Sequence, residues 1–172
     1  STQFDSLFLP NSSWLQSVKA PKVGDANSRF IFLGRVAEEK QVLEGVALLH
    51  SIGVPSSSIF ILGSGSQALL IQTQFPGVVV NDYDLESITS SDIVISQSLF
   101  EGMPNAVIDA LAVGAKLLLA INWAHTEFYI DCQANGVTDV CLYNPADVQT
   151  LQYGIEQLST EVDSYNQRKE LF

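Results

Sequence analysis

Glu101 and Asp109 flank the start of an apolar helical stretch, in a setting that suits a phosphorylated sugar. Glu101 stands in the turn Leu99-Phe100-Glu101-Gly102-Met103-Pro104-Asn105. Gly102 frees the backbone there, and Pro104 suits a first helical position, where its missing N–H has no partner to lose. Ala106 to Val113 continues as a helix of small and aliphatic residues, which Gly114 closes. An exposed acid therefore sits beside unpaired helix N–H groups, with Asp109 about two turns further in. Helix N-termini attract phosphate, and a neighbouring carboxylate is the natural partner for sugar hydroxyls. The same residues also read as an ordinary strand–helix turn carrying two acids on its surface.

Other candidates fall at other expected strand ends. Gly34-Arg35 follows the apolar run Phe30-Ile31-Phe32-Leu33, and Lys40 comes five residues after Arg35, in the first turn of an expected helix. A cation there opposes the helix dipole, so it reflects function or chance. Together the two can clamp a diphosphate, Arg35 by its planar fork and Lys40 as a point charge. The plainer reading is a solvated pair flanked by Glu38 and Glu39. Gly63-x-Gly65, after Ile59-Phe60-Ile61-Leu62, allows close approach of a ligand to the backbone, a weak signal taken alone. It has no third glycine, and the first strand carries no Gly-x-Gly-x-x-Gly, which counts against a nicotinamide dinucleotide site. Of the two histidines, His50 reads as a surface helix cap and His125 as an open candidate for ligand contact. No Ser/His/Asp or Cys/His set and no metal-ligand spacing is present, so no metal is expected.

The elements that position these residues alternate. Strands are expected at Phe30–Leu33, Ile59–Leu62, Val78–Val80, Asp92–Ser96, Lys116–Ile121 and Val140–Leu142. Helices are expected from Glu38 to Ser51, Gln67 to Gln74, Ala106 to Val113 and Thr126 to Ala134, with a helical turn from Leu85 to Ser90. Pro145 is read as opening a last helix toward Arg168. Alternation of this kind implies an α/β fold: a doubly wound, parallel sheet of about six strands, order 3-2-1-4-5-6, with helices on both faces. Ligands of such sheets bind at the carboxyl edge, where the informative residues fall. Residues 1–27 read as an irregular, linker-like segment and residues 28–172 as one domain.

Composition narrows the function. Hydrophobic residues make up 47% and charged residues 16%, as a sheet covered on both faces requires. A net charge of −11 with eight unclustered Lys and Arg argues against nucleic acid as a partner. No stretch reaches the roughly 20 apolar residues of a membrane span. The start, Ser1 to Pro10, lacks a basic region followed by an apolar one, so no signal peptide is expected. Cys132 and Cys141 are too few for a disulfide framework and read as reduced thiols of a cytoplasmic protein.

The motifs Gly34-Arg35-x-x-Glu38-Glu39-Lys40, Leu62-Gly63-x-Gly65, Ser91-Asp92-Ile93-Val94-Ile95, Glu101-Gly102-Met103-Pro104-Asn105-(x)3-Asp109-Ala110-Leu111-Ala112-x-Gly114 and Glu127 occur in that order. Each is weak alone; in order, each on its expected element, they resemble one family. This is the C-terminal, donor-binding, Rossmann-like half of GT-B glycosyltransferases, especially the retaining group with the E-x7-E motif. The resemblance runs from about Pro10 to the last helix.

The resemblance implies that Arg35 and Lys40 bind the diphosphate of a UDP- or GDP-hexose and stabilise the leaving group. It implies that Glu101 contacts the transferred sugar and Asp109 the ribose hydroxyls. Gly34, Gly63, Gly65, Gly102, Met103, Pro104 and Asn105 would line the donor site, with His125 and Glu127 as further candidates. Neither metal nor cofactor is then required. It also implies an N-terminal acceptor half, on the same gene or a separate chain. The whole enzyme would act on a glycan or lipid-linked acceptor in polysaccharide biosynthesis, in the cytoplasm or peripheral to the inner membrane. The Phe8-to-Ser13 stretch resembles the family's interdomain linker.

There are departures. Asp109 replaces the usual Glu, one methylene shorter; Gln97 and Gln41 stand where Pro and Gly are common; Asn122-Trp123-Ala124 replaces a glycine-rich loop. They leave room for a non-catalytic sugar-nucleotide-binding or regulatory module of the same fold. A sugar-nucleotide 2-epimerase is disfavoured, because its catalytic acids and histidine have no counterparts here.

Overall fold

The structure, a computed structural model, describes residues 28–102 and 104–160. The linker-like segment 1–27, Met103 and residues 161–172, onto which the last helix is expected to run, lie outside the described residues. Six strands form one sheet: β1 (Phe30–Leu33), β2 (Ile59–Leu62), β3 (Val79–Asn81), β4 (Ile93–Ser96), β5 (Lys116–Ala120) and β6 (Val140–Tyr143). All neighbours are parallel, and the order is 3-2-1-4-5-6, as the alternation predicts. Among the described residues five α-helices flank the sheet: α1 (Val42–Ser51), α2 (Ala68–Gln74), α3 (Asn105–Ala112), α4 (Trp123–Ala134) and α5 (Val148–Thr160).

Each strand feeds two cores, because successive side chains point to opposite faces. Phe32, Ile61 and Ile95 pack on one face with Val46 of α1 and Leu158 of α5. Ile31, Val94 and Leu117 pack on the other with Leu111 of α3 and Phe128 of α4. Each such side chain stabilises the fold by roughly 1.5–3 kcal/mol when fully buried. The amino edge is pinned by Arg29, whose Nε and guanidinium nitrogen donate to the two oxygens of buried Asp92 at 2.9 and 2.6 Å. The carboxyl edge stays open.

Four boundaries differ from expectation by more than one residue, each for a local reason. The expected helix from Glu38 to Ser51 is broken: Glu38–Lys40 make a 3-10 turn, and α1 starts only at Val42. Between them Gln41 takes φ 53°, the one positive φ at a non-glycine residue among those described. Lys40 therefore belongs to the turn, outside the first turn of α1. A side chain in this left-handed region costs about 1–2 kcal/mol. Gln41→Gly is expected to raise stability by about 0.5–1 kcal/mol, since glycine's larger chain entropy offsets part of the relief. A higher urea midpoint with an unchanged slope would establish it, whereas a lower midpoint would refute it.

Leu85 to Ser90 form turns in place of a helical turn, because Asp84 Oδ1 accepts the N–H groups of Glu86 and Ser87 at 3.1 and 3.2 Å. Helix α4 begins three residues before Thr126, where Asn122 Oδ1 caps it by accepting from His125 N at 2.8 Å. Pro145 lies in a turn ahead of α5, held by Asn144 Oδ1 and Asp147 Oδ1 accepting from Ala146 N and Gln149 N.

Candidate functional site

In this strand order the chain leaves β1 and β4 in opposite directions, and a crevice opens beyond their carboxyl ends. A cavity of about 190 Å³ lies there, lined by the turn Gly34–Val36, Lys40, Ser96–Ser98, Glu101 and the start of α3. Closed ligand pockets hold roughly 300–1,000 Å³.

Backbone contacts build the floor. Gly34, at φ 110°, donates its N–H to Leu62 O at 3.0 Å, and Val36 N donates to Ser64 O at 2.9 Å. The turns after β1 and β2 thus lie against each other, and the Gly63-x-Gly65 spacing has a packing reason. A Cβ on Gly63 would fall 1.8 Å from Gly34 O, and one on Gly65 2.2 Å from Val36 O. A Cβ on Gly102, in contrast, would meet open space.

The charged candidates divide. Lys40 Nζ and Glu101 Oε1 form an ion pair at 2.7 Å, with side chains 25% and 11% exposed. Leu99 N donates to Glu39 O at 3.0 Å, which holds the loop carrying Glu101 against the turn carrying Lys40. Arg35 lines the cavity mouth, yet its side chain is 73% exposed and its guanidinium lies 3.1 Å from Glu39 Oε1 on the surface. Pro104 and Asn105 line the cavity where α3 begins, and no side chain caps that helix.

Asp109 lies one turn further along α3, half-buried, outside the cavity lining and against Tyr83 from the loop after β3. Burial raises the pKa of its carboxyl group, and the hydrogen bond from the Tyr83 hydroxyl opposes that rise. Burial, the Asp109 charge and that bond all raise the Tyr83 hydroxyl in turn.

His125 is fully buried behind Glu101's loop. Its Nδ1 lies 2.7 Å from Ala120 O and 2.9 Å from Asn122 Nδ2. A carbonyl only accepts, so the closer contact fixes the proton on Nδ1. Nε2 is then a lone-pair nitrogen, buried and without a partner among the described residues. Burial lowers the ring's pKa, and the hydrogen bond to Ala120 O opposes that fall. Asn122 Nδ2 donates to Ser98 O at 2.9 Å, tying the loops after β4 and β5 together. Glu127, on α4, and His125 both stand outside the cavity lining. His50 is exposed at the end of α1, with its ring against Phe75. Among the described residues no cluster of His, Cys, Asp or Glu could hold a metal ion, and no helix is long and apolar enough to cross a membrane.

Two contributors escaped the sequence: Tyr83, in the polar run Asn81-Asp82-Tyr83-Asp84, and the capping role of Asn122. Only the aromatic ring within a polar run at a strand end marks Tyr83.

The parallel sheet order 3-2-1-4-5-6 with flanking helices matches the Rossmann-like domains found in glycosyltransferase structures. No protein-family model matches the sequence, and no curated protein matches it. Among solved structures, a mutant of TarM from S. aureus, in complex with fondaparinux, alpha-GlcNAc-glycerol and UDP, is similar over 90% of this chain and 34% of its own, at TM-score 0.63 and 17% identity. The GtfA/B complex is similar at TM-score 0.65 and 16% identity, over 90% of this chain and 33% of its own. The catalytic domain of cholesterol-alpha-glucosyltransferase from Helicobacter pylori is similar at TM-score 0.56 and 17% identity, over 84% of this chain and 95% of its own. The chain thus spans about a third of the TarM and GtfA/B chains. At these identities the likeness is one of fold.

Proposed function

We propose that the chain is the donor-binding half of a retaining GT-B glycosyltransferase that takes a hexose from a nucleoside diphosphate. The observation that carries this reading is the Lys40–Glu101 pair in the β1/β4 crevice, on a fold shared with glycosyltransferases. Charge develops on the departing diphosphate during transfer, and fixed cations stabilise it in a site shielded from water. Lys40 takes this role, with Arg35 joining from the rim. Glu101 accepts hydroxyls of the transferred sugar, the uncapped start of α3 receives phosphate oxygens, and Asp109 takes the ribose. The acceptor half is supplied by the rest of the protein or another chain, and the acceptor is a glycan or lipid-linked sugar in polysaccharide biosynthesis. The setting is cytoplasmic.

The chain is expected to bind UDP or GDP with a Kd between about 1 μM and 1 mM, roughly −8 to −4 kcal/mol, as one wall of a cleft allows. NMR titration should move the amides of Gly34, Gly65 and Asn105 together. Shifts confined to the amino edge, or affinity unchanged in Arg35→Ala plus Lys40→Ala, would remove these residues from the site.

A further inference from the structure

Gln97 directly follows β4, lines the cavity and is only 6% exposed. Its carboxamide Oε1 accepts the hydroxyl proton of Tyr143 at 2.7 Å. Tyr143 is the last residue of β6, two strands away, and is 1% exposed. Burial raises the pKa of that hydroxyl, so its proton stays and needs an acceptor. Helix α1 covers the same amide: a Cβ on Gly45 would lie 3.6 Å from Gln97 Oε1. A carboxamide has one acceptor atom and two N–H donors, and here the acceptor is taken. A half-turn of the amide would leave the buried Tyr143 proton unpaired, so the amide stays as it is. Its Nε2 has no hydrogen bond among the described residues. We propose that the Gln97 amide is a fixed hydrogen-bond donor in the cavity wall, binding an acceptor oxygen on the ligand's diphosphate or attached sugar, and that Tyr143 positions it.

The inference rests on the nucleotide-sugar reading above and adds a binding residue and its positioning partner to that site. Lys40 attracts any anion and is shared with Glu101. The Gln97 amide carries no charge, does not titrate, and cannot turn acceptor while Tyr143 holds its oxygen. It therefore takes a phosphate, hydroxyl or carbonyl oxygen and disfavours an ammonium or N–H group at the same place. A hydrogen bond made there is shielded from water, which strengthens it.

The test is calorimetric titration of the 172-residue chain with UDP, GDP, UDP-glucose and GDP-mannose. Gln97→Met is expected to weaken the ligand about tenfold, as losing one hydrogen bond does. A loss already present with the free nucleotide assigns the bond to the diphosphate; a loss with the nucleotide-sugar alone assigns it to the sugar. Gln97→Met also strands the Tyr143 hydroxyl, so its thermal midpoint should fall. Gln97→Met combined with Tyr143→Phe should recover the midpoint and leave the affinity low. Affinity that returns with the midpoint, or that never changes with any of the ligands, overturns the proposal and leaves the nucleotide site standing. Tyr143→Phe alone keeps both donors and frees the amide to turn, so it should cost several-fold in affinity. Wild-type affinity in that variant would overturn the positioning role of Tyr143. A wild-type chain that binds none of the four ligands overturns the nucleotide reading and the proposal with it.

Discussion

Gly63→Ala is expected to destabilise the chain by about 4 kcal/mol or more, a large share of the roughly 5–15 kcal/mol that holds a small domain together. The added methyl would lie 1.8 Å from Gly34 O and 2.7 Å from Gly34 C, so the clash is with backbone. Gly34 cannot retreat cheaply: its N–H is committed to Leu62 O, and its φ of 110° leaves few alternatives. Gly65→Ala meets Val36 O at 2.2 Å and should cost a similar amount. Gly102→Ala, with open space around it, should stay within about 0.5 kcal/mol of wild type. Urea unfolding followed by circular dichroism ranks the three. A Gly63→Ala loss below about 1 kcal/mol, a quarter of that expected, would mean the two turns separate more readily than their hydrogen bonds imply. Because Gly63 and Gly65 are needed for folding, loss of ligand binding in their variants would not show that they touch a ligand.

The fold was largely legible because its signals are local. The apolar runs Phe30–Leu33 and Ile59–Leu62 coincide with β1 and β2, and their alternation with amphipathic stretches leaves few topologies. The break at Gln41 was not legible: glutamine is a good helix former, and nothing nearby announces a left-handed residue. Boundaries at Asn122 and Pro145 moved because side-chain caps decided them, and a cap depends on where the preceding strand ends. In the site, the sequence brings Arg35, Lys40, Glu101, Pro104 and Asn105 to one edge, and they do line one cavity. What it does not reveal is pairing. Lys40 closes on Glu101 and Arg35 on Glu39, choices that depend on a turn geometry with no sequence signature. Asp109, His125 and Glu127 lie outside that cavity, and the nearness of Tyr83 to Asp109 joins a loop to a helix that are far apart in sequence.

Lys40 and Glu101 are expected to change nucleoside-diphosphate affinity in opposite directions. In the free chain the ammonium is held by the carboxylate at 2.7 Å, so an incoming diphosphate competes with Glu101 for it. Lys40→Met removes the cation and should weaken UDP or GDP by about 1.5–3 kcal/mol, the worth of a hydrogen bond to a charged group, or roughly ten- to hundredfold. Glu101→Gln keeps the shape and removes the competing charge, so it should tighten the free nucleotide by several-fold, roughly 1 kcal/mol. The nucleotide-sugar should gain less than the free nucleotide, because an amide replaces the carboxylate proposed to accept sugar hydroxyls. Lys40→Met combined with Glu101→Gln should behave as Lys40→Met alone, since the glutamine effect acts only through the lysine. Such non-additivity marks two side chains in one network. Calorimetric titration of the four proteins with both ligands measures every arm, and thermal midpoints report whether unpairing Glu101, 11% exposed, has loosened the fold. If Glu101→Gln weakened the free nucleotide as much as Lys40→Met does, Glu101 would be holding Lys40 in place for the diphosphate, and the competition between them would be excluded.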